Sequence, residues 1–249
     1  MGEFTNKVAL VTGAGSGIGA AVAIDLANQG ASVIVADISD KGANEIADVI
    51  ITAGGQAKAF VGDAANPDHV KASVDLAVSQ FGALHLAFNN AGIGGPQGLI
   101  EEMALADYRR LIEINLNSVF YAMQHEVPAI LAAGGGSIVN NSSILGLVGE
   151  ATAVPYSAAK HGVSGMTKAA AALYAAQGVR INSVHPGYID TPLLSALPEE
   201  VINALIAQHP IGRLGTSEEV ANVVLFLLSD KAGFVTGAQW AVDGGYTSK

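Results

Sequence analysis

From Lys7 onward the chain alternates short apolar runs with longer amphipathic stretches. Near-continuous apolar runs at 8–11, 32–36, 57–61, 84–88, 137–140, 180–184 and 239–242 predict strands buried on both faces. Between them, apolar positions recur at helical spacing over 18–29, 41–53, 67–81, 105–131, 155–176 and 217–228. Strands alternating with helices in this way predict an α/β fold: a doubly wound, Rossmann-type parallel sheet of about seven strands with helices on both faces. No linker-like stretch or internal period divides the chain, so one domain over 1–249 is expected.

The first strand-to-helix turn reads Thr12-Gly13-Ala14-Gly15-Ser16-Gly17-Ile18-Gly19. Glycines there permit a sharp turn and a close approach of backbone amides to a pyrophosphate, and the helix start offers unpaired N–H groups to the anion. The next strand, SVIVAD, ends at Asp37. A carboxylate at that place can accept both ribose hydroxyls and repels a 2′-phosphate; neither Ser16 nor Ile38 supplies a compensating cation, which favours NAD over NADP. Asp37 is equally placed to cap the helix at 41–53. Asp63, followed by Ala64, and Asn89-Asn90-Ala91-Gly92 close two further strands on the edge where ligands of such sheets bind. Asp63 is also a candidate cap for the helix opening at Pro67, and the paired asparagines could serve only loop backbone groups.

A second constellation lies downstream. Ser143 ends an apolar run, and Tyr156 and Lys160, four apart in VPYSAAKHGVSGMTK, fall on one face of a predicted helix. A phenol titrates near pH ~10, so general acid/base work at neutral pH needs its anion favoured by roughly 4 kcal/mol. A nearby ammonium in a partly desolvated site works on that scale. The Ser143 hydroxyl is then placed to hold the oxygen of a carbonyl or alcohol. Asn115 sits within a helical stretch, where an amide ordinarily faces solvent or bonds back to the main chain.

The 249 residues carry 12 basic and 22 acidic side chains, a formal charge of −10, which argues against nucleic acid or an anionic membrane surface as partner. Cysteine is absent, so disulfides, thiolate chemistry and cysteine-ligated metals are excluded. The six histidines show no HExxH or comparable pair, and no catalytic metal is expected. No basic-then-apolar leader opens the chain and no apolar run approaches the ~20 residues that span a bilayer, so no membrane association and a cytoplasmic location are expected.

In this order and spacing the motifs resemble those of the short-chain dehydrogenases/reductases, from Lys7 almost to Lys249. The resemblance assigns Gly13, Ser16, Gly17, Ile18 and Gly19 to the cofactor turn. It gives Asp63 and Ala64 contacts to the adenine side, and Asn90, Ala91 and Gly92 the second cofactor motif. Ser143, Tyr156 and Lys160 become the catalytic set, joined by Asn115, which in that family opens a helix and holds a water. His185-Pro186-Gly187-Tyr188-Ile189-Asp190-Thr191-Pro192 resembles the family's Pro-Gly segment, with Pro186, Gly187, Ile189 and Thr191 on the nicotinamide side. Tyr156 and Lys160 also face the nicotinamide and its ribose. The same resemblance implies sheet order 3-2-1-4-5-6-7, NAD as cofactor and a homotetramer built on the two long helices. The apolar run 169–176 is independently suited to helix packing.

Loops expected to line a substrate pocket, 93–99, 144–151, Tyr188 and 193–197, are apolar and glycine-rich, with Glu150 the one charged member. The substrate is therefore expected to be a small to medium, mostly uncharged secondary alcohol or its ketone, cyclic and aromatic compounds included. Residues 191–210 are expected to form a helical lid. Two alternatives carry less weight. A catalytically silent NAD-binding module would be expected to lack Tyr156 or Lys160, and a serine hydrolase needs a Gly-x-Ser-x-Gly elbow, which the chain does not contain.

Overall fold

The computed structural model describes residues 2–191, 194 and 198–248. Its strands are β1 (Val8–Thr12), β2 (Ser32–Asp37), β3 (Gln56–Val61), β4 (Leu86–Asn89), β5 (Gly136–Asn141), β6 (Val179–Pro186) and β7 (Gln239–Val242). All pair in parallel in one sheet, ordered β3-β2-β1-β4-β5-β6-β7. This is the expected doubly wound architecture, with strand ends within two residues of the sequence reading.

The helices are α1 (Gly17–Asn28), α2 (Asp40–Thr52), α3 (Pro67–Phe81), α4 (Leu105–Ile112), α5 (Ser118–Ala132), α6 (Val154–Tyr174), α7 (Glu199–Ala207) and α8 (Ser217–Leu228). Strand side chains alternate between faces, so Ala9, Val11, Val33 and Val35 pack under α1, α2 and α8, while Val8, Leu10, Ile34 and Ala36 pack under α3, α5 and α6. No described helix is long and apolar enough to cross a membrane.

Two differences from the sequence reading matter. The stretch 105–131 is not one helix: a π-helical turn, Glu113–Asn117, separates α4 from α5. The lid segment 191–210 is described only in part, since 192, 193 and 195–197 lie outside the described residues; α7, within it, buries none of its residues fully.

Strand order reverses between β1 and β4, whose carboxyl ends therefore flank a crevice. Neither aspartate at these ends is a helix cap. Ser39 caps α2 by accepting from the Gly42 N–H, and Asn66 caps α3 by accepting from Asp68 and His69. Both Asp37 and Asp63 are left facing the crevice.

Candidate active site

A cleft of about 660 Å³ opens at the reversal point, and Gly13, Ser16, Gly17, Ile18, Asp37, Asp63, Ala64, Asn90, Ala91, Gly92 and Thr191 all line it. Gly13 and Gly17 hold left-handed φ values of 60° and 54°. A Cβ on Gly13 would press against the Ala91 backbone at 2.9 Å, so glycine is needed to bring the two motifs together. Gly19 does not line the cleft; a Cβ there would collide with the Gly13 carbonyl, and its part is close packing of α1 on the turn.

The cleft suits an anionic dinucleotide. Ser16 precedes α1 without capping it through its side chain, and no acidic residue occupies the first turn, unlike α2 and α3. The N–H groups at this helix start are thus left for an anion. Across the cleft, Asp37 is held rigidly: Oδ2 accepts from the Gly15 N–H and Oδ1 from the Ser39 N–H, each at 2.8 Å. Asp63 Oδ1 accepts from Ala65, and the Asp63 N–H donates to His69 Nδ1. Asn90 Nδ2 donates to the Thr12 and Gly13 carbonyls, while the Thr12 hydroxyl accepts from the Asn90 and Ala91 N–H groups. Thr191 reaches over from the far side to lie against Gly17.

Beyond the cleft the structure brings Ser143, Tyr156, Lys160 and Asn115 to adjoining positions. Ser143 follows β5 by two residues and caps a 3-10 turn, accepting from the Leu145 N–H. The same hydroxyl acts on the phenol of Tyr156, which stands in the first turn of α6, pulling it toward the anion. Lys160, one turn on and 4% exposed, places Nζ 5.6 Å from the centre of the Tyr156 ring and donates to the Asn141 carbonyl at 2.9 Å.

The electrostatics correct the sequence expectation of a phenol acidified by lysine. Burial pushes the Tyr156 phenol above its ordinary value, and the opposing pull comes from the Ser143 hydroxyl. Burial also pushes Lys160 down to about 8. The ammonium lies over the ring and is itself desolvated, so in the protein alone burial outweighs its attraction for a phenolate.

Asn115 is buried, contrary to the solvent-facing expectation. Within the π-helical turn its Oδ1 accepts from the Ile93 N–H at 2.9 Å and its Nδ2 donates to the Ile93 carbonyl at 2.8 Å. The amide thus clamps the chain just after Asn90-Ala91-Gly92, and the inserted residue is what aims it there.

Several supporting residues escaped the sequence reading. His185 is fully buried; Nδ1 donates to the Ser143 carbonyl at 2.8 Å and Nε2 accepts from the Ser183 hydroxyl at 2.9 Å. Burial pushes its pKa down to about 4, so the neutral ring anchors Ser143. His209 Nε2 accepts from the Tyr188 N–H, and its ring leaves no room for a Cβ at Gly187. Gly187, Tyr188 and Ile189 line a neighbouring cavity of about 280 Å³ rather than the main cleft. Pro186 ends β6 beside it. Ile144, Leu145 and Ala153 form a small apolar cluster against which Val148, Tyr156, Tyr188 and Tyr246 pack.

Residues 13–247 match the family profile described as enoyl-(acyl carrier protein) reductase. The chain is 59% identical over 247 residues to a cyclohexanol dehydrogenase of Acinetobacter sp. (strain SE19), covering 99% of this chain and 97% of that protein. It is 49% identical over 249 residues to a cis-4-hydroxycyclohexanecarboxylate dehydrogenase of Sinomonas cyclohexanicum, covering both chains fully. The chain belongs to the short-chain dehydrogenase/reductase family. Within that family, the crystal structure of levodione reductase superposes with a TM-score of 0.94 at 34% identity, covering 98% of this chain and 99% of that one. The short-chain dehydrogenase/reductase fold seen here is accordingly that of an oxidoreductase of the alcohol dehydrogenase type, built for a nicotinamide cofactor.

Proposed function

We propose that this chain is an NAD-dependent dehydrogenase for a neutral, cyclic secondary alcohol of about cyclohexanol size, with Tyr156 as its general acid/base. The carrying observation is Lys160 over the Tyr156 phenol ring, with the Ser143 hydroxyl acting on the same phenol, beside the cleft lined by the glycine turn and Asp37.

The cofactor supplies a carbon that takes or gives a hydride. Around it the protein's part is orientation and proton transfer. Ser143 holds the substrate oxygen, and Tyr156 removes the hydroxyl proton in oxidation or returns it in reduction. Lys160 is anchored through the Asn141 carbonyl, and its remaining N–H groups would bond the nicotinamide ribose. Asp37 would receive the adenosine ribose hydroxyls. Its fixed carboxylate gives a 2′-phosphate repulsion, and the next residue, Ile38, exposed by 71%, puts no cation beside it, which supports NAD over NADP.

Apolar Ile144, Leu145 and Val148 beside Tyr156 support an uncharged ring as substrate. Glu150 is half-buried and its charge acts on Tyr188 and Tyr246 at the same side, which disfavours a carboxylate on that ring. The reading also takes the chain as one domain with 191–210 as its lid, in the cytoplasm, and as a homotetramer. Phe120 on α5 and Leu173 on α6, exposed by 53% and 62%, favour such an assembly.

The test is nicotinamide absorbance with cyclohexanol, 4-hydroxycyclohexanecarboxylate and linear secondary alcohols, each with NAD and NADP. The expected result is highest kcat/KM for cyclohexanol with NAD. Tight NADH binding without turnover of any alcohol or ketone would favour a silent binding module instead.

A further inference from the structure

A glutamate lies buried behind the catalytic elements with no cation paired to it among the described residues. Glu126 on α5 is 0% exposed. Its Oε2 accepts from Asn89 Nδ2 at 3.0 Å, and Oε1 is buried without a partner. The amide oxygen of its neighbour, Asn89 Oδ1, is likewise buried without a partner. The asparagine cannot be turned over to relieve this, because its Nδ2 also donates to Asn140 Oδ1 at 3.0 Å. Two acceptors are thus left over at one amide–carboxyl contact, and a carboxylate has nothing to offer either of them.

We infer that Glu126 is a neutral carboxylic acid whose Oε1–H donates to Asn89 Oδ1, closing a two-bond acid–amide pair that positions the end of β4 for the cofactor. One proton satisfies both leftover oxygens. The pair continues through Asn140, whose Nδ2 donates to Thr167 Oγ1 at 3.0 Å. It therefore ties together α5, which follows the Asn115 turn, β4, which leads into Asn90-Ala91-Gly92, β5, which leads to Ser143, and α6, which carries Tyr156 and Lys160. Each catalytic group is presented by an element held at this one buried contact, and Glu126 acts through Asn89 as a positioning residue.

The surroundings leave the acid alone. β4 and β5 carry no titratable side chain. On α3, Lys71 and Asp75 pair with each other at the surface. On α6, Lys160 is committed to the Asn141 carbonyl, and His161 and Lys168 are exposed. Arg180 on β6 is spent on carbonyls from Leu227 to Val235, and His185 on Ser143 and Ser183. Within the preceding turn and α5, Glu113 bonds Asn117 and Tyr121, and His125 flanks the acid in sequence. Desolvation accordingly raises the Glu126 pKa to about 7, and the Asn89 hydrogen bond only partly offsets it. The folded pKa lies above the unfolded value, so this stabilisation is complete below about pH 4.5 and lost as pH rises through about 7.

Glu126→Gln keeps the pair without a titrating proton, its amide N–H replacing the acid O–H; Glu126→Leu removes it. Urea unfolding of the full chain between pH 5 and 8.5 should show the wild type losing on the order of a hundredfold in folding constant relative to Glu126→Gln. Glu126→Leu should be weaker than Glu126→Gln throughout. Infrared spectra should show a protonated carboxyl band at pH 6 that fades by pH 8.5 and is absent from Glu126→Gln. NADH titration should show wild-type affinity falling several-fold over that interval while Glu126→Gln stays flat. This last readout alone rests on the nicotinamide reading, and a protein that binds no NADH at any pH counts against that reading, leaving the spectra and unfolding to decide the pair. Three results would overturn the inference: no protonated carboxyl band at pH 6, Glu126→Gln as destabilised at pH 8 as Glu126→Leu, or parallel NADH affinity curves for wild type and Glu126→Gln.

Discussion

Lys160 Nζ stands 5.6 Å from the centre of the Tyr156 ring, one turn along α6, while the Ser143 hydroxyl, just past the end of β5, acts on the same phenol. Because Ser143 supplies the pull toward phenolate, and burial pushes harder the other way, Tyr156 keeps its proton at neutral pH in the protein alone.

That direction sets a pH prediction. Alcohol oxidation needs the deprotonated phenol and ketone reduction the protonated one, and below a raised pKa the deprotonated fraction grows about tenfold per pH unit. The kcat/KM for oxidation should climb from pH 7 into the alkaline range while that for reduction stays level, because the phenol remains protonated below its raised pKa. A flat oxidation profile over pH 7 to 9 would count against Tyr156 as the base.

Asp37 and Ile38 should set cofactor choice. The double variant Asp37→Ala, Ile38→Arg removes the fixed carboxylate and adds a phosphate-binding cation. Its kcat/KM ratio of NADP to NAD should rise by at least ~100-fold over the wild type. An unchanged ratio would mean that specificity is set elsewhere in the cleft.

Removing the Asn115 amide should cost stability as well as activity. Asn115→Ala leaves the Ile93 N–H and carbonyl without their partner at a half-buried turn, a loss on the order of 1–3 kcal/mol. A thermal midpoint lowered by about 5 °C or more is expected. If the midpoint holds while activity falls, the two Ile93 bonds are not what makes this residue important.

The layout of the fold was legible because each apolar run and each amphipathic stretch carries its own period, and Asp37 was legible because it closes an apolar strand after a glycine turn. Tyr156 and Lys160 are neighbours by helical spacing alone. The π-helical turn at Asn115 was hidden, since one inserted residue hardly disturbs a helical pattern. His185 was hidden too, its partner Ser143 lying 42 residues back. Glu126 did leave a mark: it interrupts the buried positions Ala122, Met123, Val127 and Ile130 of one helix face. The tyrosine's acidity was misjudged because a neighbouring cation can be counted along the sequence, whereas desolvation cannot.

His185 predicts an acid-side weakness. Its folded pKa of about 4 lies below the ordinary 6.5, so the stability it contributes is full above pH 6.5 and lost as pH falls through 4. The loss amounts to about 3 kcal/mol at most. Urea unfolding from pH 7 to 4 should fall less steeply in His185→Gln than in the wild type; equal slopes would mean the ring is protonated in the folded state.

The most direct measurement is turnover by Tyr156→Phe, which keeps the ring between Ser143 and Lys160 and removes only the hydroxyl. The account predicts cyclohexanol oxidation reduced by at least ~1000-fold, with NADH affinity within about threefold of the wild type. Turnover above a tenth of the wild-type rate would contradict Tyr156 as the group that moves the proton.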